Sequence, residues 1–190
     1  MLKRRTFLVG LIALWLALTS VATALQDKKY TTLSKDVSEL KEQFNNDQDK
    51  LRILMLLAPT WGVCIGGALQ VKTKVLDEIK DPRIKVYIVW LPILDSDNER
   101  RVNSAVNRVV EERTSHYWDG DATLATKFEQ TLGIKQQAWD VYMLYEPGVK
   151  WGKLAPKPSY WMHQLENNPK GIPFDGAEFA AEVKRRLEKN

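Results

Sequence analysis

Two short, nearly unbroken apolar runs, LRILMLL at 51–57 and KVYIVWL at 85–91, each followed closely by a proline (Pro59, Pro92), constrain this chain more than any other feature. Such runs are expected to be central strands covered on both faces. Residues 62–79, between them, carry a helical pattern whose buried stripe would be Val63, Leu69, Val71, Val75, Leu76 and Ile79. Strand alternating with helix implies an α/β sheet with helices on both faces.

The remaining elements are read in the same way. Over 32–44, Leu33, Val37, Leu40 and Phe44 recur at spacings of four, three and four, which predicts an amphipathic helix, and Asn45, Asn46 and Asp47 mark a turn after it. A polar segment at 98–112 places Val102, Val106, Val109 and Val110 at helical spacing. A short strand is expected at 116–118, a helix at 122–132 stopped by Gly133, and a strand at 140–145. Residues 150–154 and 160–163 read as hairpin partners of that strand around Ala155-Pro156-Lys157-Pro158. Asp175 is placed to cap a last helix over 174–187, with Phe179, Val183 and Leu187 facing inward.

Ahead of this domain lies a leader of three zones: basic Lys3-Arg4-Arg5, an apolar run from Phe7 to about Val21, and small residues at Ala22-Thr23-Ala24. These are the zones of a secretory signal, cleaved after Ala24. Residues 6–25 are also just long enough to span a bilayer, so an uncleaved membrane anchor stays open. Arg4-Arg5-Thr6-Phe7-Leu8 further resembles a twin-arginine export signal. The chain thus divides into a signal peptide or anchor (1–24), an amphipathic helix and linker (25–50) and one α/β domain (51–190), placed in the periplasm or outside the cell. The composition, 44% hydrophobic and 27% charged, is that of an ordinary globular domain. The net charge of +4 is partly in the leader and otherwise dispersed, which argues against a nucleic-acid partner.

Chemistry is expected where the first buried strand joins the first helix, at Ala58-Pro59-Thr60-Trp61-Gly62-Val63-Cys64. Cys64 is the only cysteine, so no internal disulfide can form. A thiol in the first turn of a helix is favoured as thiolate by the helix dipole and unpaired N–H groups. The alternative is a small buried hydrophobe. Zinc of the structural kind is not expected with two histidines and one cysteine; a mononuclear site of His116, His163 and a carboxylate is left open. No cofactor is expected. Asp95, Asp97, Asp140, His116 and His163 fall near strand ends that face a common groove in this reading. Trp90, Trp118, Trp139, Trp151 and Trp161 lie in or beside expected strands, as packing or as the lining of a groove for an apolar ligand or a peptide.

The order of elements and this turn together resemble the thioredoxin superfamily, and within it the exported redoxin-like members, over residues 51–189. The resemblance implies a central mixed sheet flanked by helices. It also implies that the turn is a degenerate Cys-x-x-Cys motif, with Cys64 in the position of the resolving cysteine and Trp61 in that of the attacking one. Pro59, Thr60, Gly62, Val63, Ala138, Trp139, Asp140, His116 and Trp118 would line the groove. Two departures stand out. Indole cannot attack a disulfide, and Gln137-Ala138-Trp139 stand where the family usually carries a cis-proline. A UGA codon at position 61, read as tryptophan but standing for selenocysteine, would restore a redox pair; a genuine Trp61 would leave Cys64 to act alone on peroxide or through a mixed disulfide. Two functions follow. One is a thiol redox protein acting on protein thiols or disulfides, or on a small oxidant, and reset by an external thiol reductant. The other is a non-catalytic binding module with a Trp-rich groove.

Overall fold

The computed structural model describes residues 28–189. The leader, with its cleavage site or anchor, lies outside the described residues. The elements follow in the order β1 (Thr31–Thr32), α1 (Ser38–Asn46), β2 (Leu51–Leu57), α2 (Gly62–Gln70), β3 (Ile84–Trp90), α3 (Glu99–Val106), β4 (Thr114–Trp118), α4 (Thr123–Leu132), β5 (Val141–Tyr145), β6 (Tyr160–His163), β7 (Ile172–Pro173) and α5 (Gly176–Leu187). Helix α2 runs on into a π-helical segment, Val71–Leu76.

The strands form one seven-stranded sheet in the order β1-β4-β3-β2-β5-β6-β7. β2, β3 and β4 are parallel, with Leu51 opposite Ile84 and Trp90 opposite Trp118. β5 runs antiparallel to β2, and β6 antiparallel to β5. Strand β2 therefore lies at the centre and is buried along its whole length, as an apolar run without alternation requires.

The two-residue period of the strands sorts the core into two layers. On one face Ile53, Met55, Leu57, Val86, Ile88, Trp90 and Tyr142 pack under α2, its π-helical continuation, α3 and α5. On the other, Leu54, Leu56, Tyr87, Val89, Met143 and Tyr145 pack under α1 and α4. Arg52 belongs to this second layer. Its guanidinium is wholly buried over the Phe44 ring and donates to the carbonyls of Phe44 (3.0 Å), Val149 (2.8 Å), Glu146 (2.6 Å) and Lys50 (3.3 Å).

Several expectations are corrected. Val63 is 44% exposed and Val110 60% exposed, so neither joins a buried stripe. The first points outward from the first turn of α2, and the second lies beyond the end of α3. Residues 150–154 form no strand; the chain there is a loop, and only 160–163 pair with β5. β1 and β7, of two residues each, border the sheet where periodicity alone gives no signal. Helix α5 begins after Asp175, whose carboxylate accepts from the N–H groups of Ala177 (2.7 Å) and Glu178 (2.9 Å).

Candidate functional site

Parallel strands β2, β3 and β4 end at one edge of the sheet, and the loops leaving them meet there. The residues after β2 are tied to the loop after β3 through Asp97. Its carboxylate accepts from the Thr60 N–H (3.0 Å), the Thr60 hydroxyl (2.6 Å), and the N–H groups of Ile93 (3.1 Å) and Leu94 (2.8 Å). With both oxygens engaged, this 7%-exposed side chain holds the turn before α2.

Trp61 is the residue before α2, and with no side-chain cap on that helix its indole stands 42% exposed. Gly62 and Val63 are exposed beside it. One turn on, the Cys64 side chain points inward and is fully buried, its sulfur accepting from the Ala58 N–H at 3.4 Å. The expected reachable thiolate is therefore corrected. Burial, followed by the negative charge of Asp140, pushes the thiol far above its ordinary value, and the Ala58 N–H offsets only part of this.

Beneath the sulfur lies a polar cluster that sequence reasoning saw only in part. Asp140 is 1% exposed and adopts φ 52°, a left-handed conformation that aspartate tolerates better than most residues. Its Oδ1 accepts from the Tyr142 hydroxyl (2.8 Å) and the Gln164 amide (2.9 Å). Its Oδ2 has no hydrogen bond of ordinary geometry, although the Cys64 thiol is near enough to interact with the carboxyl. Burial raises the Asp140 carboxyl above its ordinary value, while these donors pull it back down. Gln164 also donates to the Tyr142 oxygen (2.8 Å) and reaches the Val63 carbonyl at 3.4 Å. The cluster fits only because residue 67 lacks a side chain. A Cβ there would stand 1.8 Å from the Tyr142 oxygen. Gly67, the third glycine of α2, is the one sequence sign of this; nothing around Gln164 announced it.

The other expected site residues divide. Pro59 and Ala138 are buried, Thr60 and Trp139 half-buried, all around the turn or beside Asp140. His116 does not face a groove. Its ring stacks on Trp90 (6.1 Å, 7°), its Nδ1 accepts from the Trp90 indole N–H (3.3 Å), and its Nε2 donates to the Val109 carbonyl (3.2 Å). Trp118, 6% exposed, is likewise part of the core. His163 is buried on β6, four strand positions from His116 on β4. At about 4.8 Å per strand that is roughly 19 Å, so the mononuclear metal arrangement left open above does not assemble. The Trp-rich groove dissolves for a similar reason. Trp90 and Trp118 pack on one face of the sheet and Trp151 on the other.

The three parallel strands, the antiparallel pair added beside β2, and the helix that opens directly after β2 are the thioredoxin arrangement of elements. The chain has a thioredoxin-like fold. Among the described residues no cis peptide bond occurs, at 137–139 included. Among solved structures, the thioredoxin-like chain is similar to a secreted Mycobacterium tuberculosis disulfide oxidoreductase homologous to E. coli DsbE, with 10% identity, a TM-score of 0.49, and coverage of 74% of this chain and 84% of that one. It is also similar to a thioredoxin-like protein in its oxidized form, with 12% identity, a TM-score of 0.48, and coverage of 75% and 80%. No protein-family model matches the chain, and no curated protein matches it.

Proposed function

We propose that this is an exported thiol-type redox protein whose attacking group stands at position 61 and whose resolving thiol is Cys64. The observation that carries this reading is the division of labour in the turn: position 61 is open to solvent at the start of α2, and the sulfur three residues on is sealed beneath it. A resolving thiol needs to meet only its neighbour at position 61, not a bulk reagent, so burial of Cys64 is compatible with that role. Burial weighs against the single-cysteine account, because a buried, neutral thiol is a poor nucleophile towards peroxide or a protein disulfide. The pair is complete when a UGA codon at 61 inserts selenocysteine. Its substrates are then protein disulfides or a small oxidant met at position 61, with an external thiol as reductant.

Two measurements test this. The codon, or the mass of the peptide holding residue 61 from the native source, should show selenium. In the laboratory Trp61→Cys should turn over a protein disulfide in the presence of dithiothreitol, and adding Cys64→Ser should abolish turnover. A UGG codon together with an inert Trp61→Cys protein would defeat the redox reading.

One set of observations favours a second reading, a non-catalytic binding module. With tryptophan genuinely at 61, the turn presents two exposed apolar side chains, Trp61 and Val63, over an inert thiol. In that case Cys64→Ser leaves partner binding intact, whereas Trp61→Ala weakens it.

Export rests on the leader. Among the described residues no helix is long and apolar enough to cross a membrane. N-terminal sequencing of the mature protein distinguishes cleavage after Ala24 from retention of residues 6–25 as an attachment to the bilayer.

A further inference from the structure

The most exposed large apolar side chain among the described residues is Leu154, 76% exposed, on the loop that links β5 to β6. That loop is fastened on both sides of it. Trp151 is buried edge-on against Phe44 (5.6 Å) and Phe128 (5.8 Å). Its backbone N–H donates to Asn45 Oδ1 (2.7 Å) and its carbonyl accepts from the Asn45 amide (3.1 Å). Ala155 is buried and its carbonyl accepts from the Thr131 hydroxyl (3.4 Å), while the Pro156 carbonyl accepts from the Tyr145 hydroxyl (3.2 Å). Between these anchors Gly152, Lys153 and Leu154 all lie exposed, so packed structure on either side holds the leucine out in water.

The charge around it has one sign. Residues 149–158 carry Lys150, Lys153 and Lys157 and no carboxylate. Lys153 and Leu154 also border a hollow of about 320 Å³ against α4, completed by Lys127, Gln130, Thr131 and Ala155. Among the described residues none of these four lysines forms an ion pair. An exposed leucine is unfavourable in water, and lysines without counter-charge repel one another. One kind of neighbour relieves both: a surface that is anionic outside and apolar just beneath. An acidic protein would answer the lysines but would need a pocket shaped for one projecting leucine, whereas a bilayer receives it anywhere on its face.

We propose that this loop docks the domain on an anionic membrane surface, with Leu154 entering the boundary between headgroups and acyl chains and the four lysines meeting lipid phosphates. The contact is separate from attachment through residues 6–25 and does not depend on the chemistry at position 61, but it orients that position. β5 reaches the loop at Tyr145, close to where Arg52 pairs with it at the start of β2, whereas position 61 follows the end of β2. At about 3.3 Å per residue, the length of β2 sets the two roughly 23 Å apart. A domain seated on Leu154 therefore turns position 61 away from the lipid, towards soluble partners.

The test reads the loop itself. In the mature protein Gly152→Cys takes an environment-sensitive fluorophore, because an added Cβ there meets nothing within 4 Å and the native Cys64 is buried. With vesicles of equal parts phosphatidylglycerol and phosphatidylcholine the emission should move to the blue, and with phosphatidylcholine alone it should stay. The same label at Asp95→Cys, in the loop after β3, should not respond. Lys153→Glu should weaken vesicle affinity roughly thirtyfold, Leu154→Ala roughly tenfold, and added salt should weaken it further. Neither substitution should move the thermal midpoint, since both side chains are exposed. The proposal fails if the label at 152 ignores the anionic vesicles, if phosphatidylcholine alone shifts it as much, or if neither substitution changes affinity. A shift with polyglutamate and none with vesicles would hand the patch to an acidic protein and overturn the membrane contact. An equal response from the label at 95 would overturn the orientation.

Discussion

A thiol in the first turn of a helix is ordinarily acidified by the unpaired N–H groups there. Cys64 goes the other way because its sulfur is turned inward, towards a buried carboxyl, and desolvation of a thiolate outweighs one N–H donor. The sequence showed where the sulfur falls along the chain but not which way it points. That depends on Tyr142, Gln164 and Gly67, which lie far apart in the chain and meet only in the fold. Gly67→Ala tests their fit. The added methyl overlaps the Tyr142 oxygen, so the variant should lose roughly 1–3 kcal/mol of stability in denaturant titration. His116 gives a second test at this scale. Burial lowers its pKa to about 4, so between 6.5 and 4 the unfolded chain takes up a proton that the folded one refuses. Its contribution is present above pH 6.5 and is lost as pH falls through about 4, to the extent of about 3 kcal/mol. Asp140, raised by burial, has the opposite sign: its cost appears as pH climbs above the ordinary carboxyl value. The difference in unfolding free energy between native protein and His116→Gln, followed from pH 7 to 4, isolates the histidine.

At the scale of elements, the two apolar runs became the paired central strands β2 and β3, and the spacing over 98–112 and 122–132 became α3 and α4. Helix ends were legible where a side chain makes them: Asp175 caps α5, and Gly133 stops α4 at φ 65°. Asp175→Ala should accordingly cost about 1 kcal/mol, read as a lowered midpoint of thermal unfolding. Where packing decides rather than pattern, the reading failed. Residues 150–154, expected as a strand partner of β5, form a loop because Trp151 is drawn into the layer beneath α1, edge-on to Phe44 at 5.6 Å, and its backbone N–H donates to Asn45 Oδ1 (2.7 Å). Val110 lost its place because the helix ends at Val106, before the pattern does.

Taken as a whole, the molecule has no disulfide within the described residues, and its stability rests on the two layers packed against β2. Phe179→Ala, which empties the centre of the layer beneath α5, should therefore destabilise the protein by roughly 3–5 kcal/mol and lower its thermal midpoint in both oxidising and reducing buffer alike. Arg52 joins parts of the chain that the sheet alone does not. Its one planar cation is shared by the last turn of α1, the residue before β2 and the 146–149 loop, and each segment that lifts away takes acceptors from a charge held in the interior. Local opening of each piece by itself is thereby made costly. In hydrogen exchange, the amides of α1 and of the segment after β5 should exchange in step, as one cooperative unit, despite the hundred or so residues of chain that divide them.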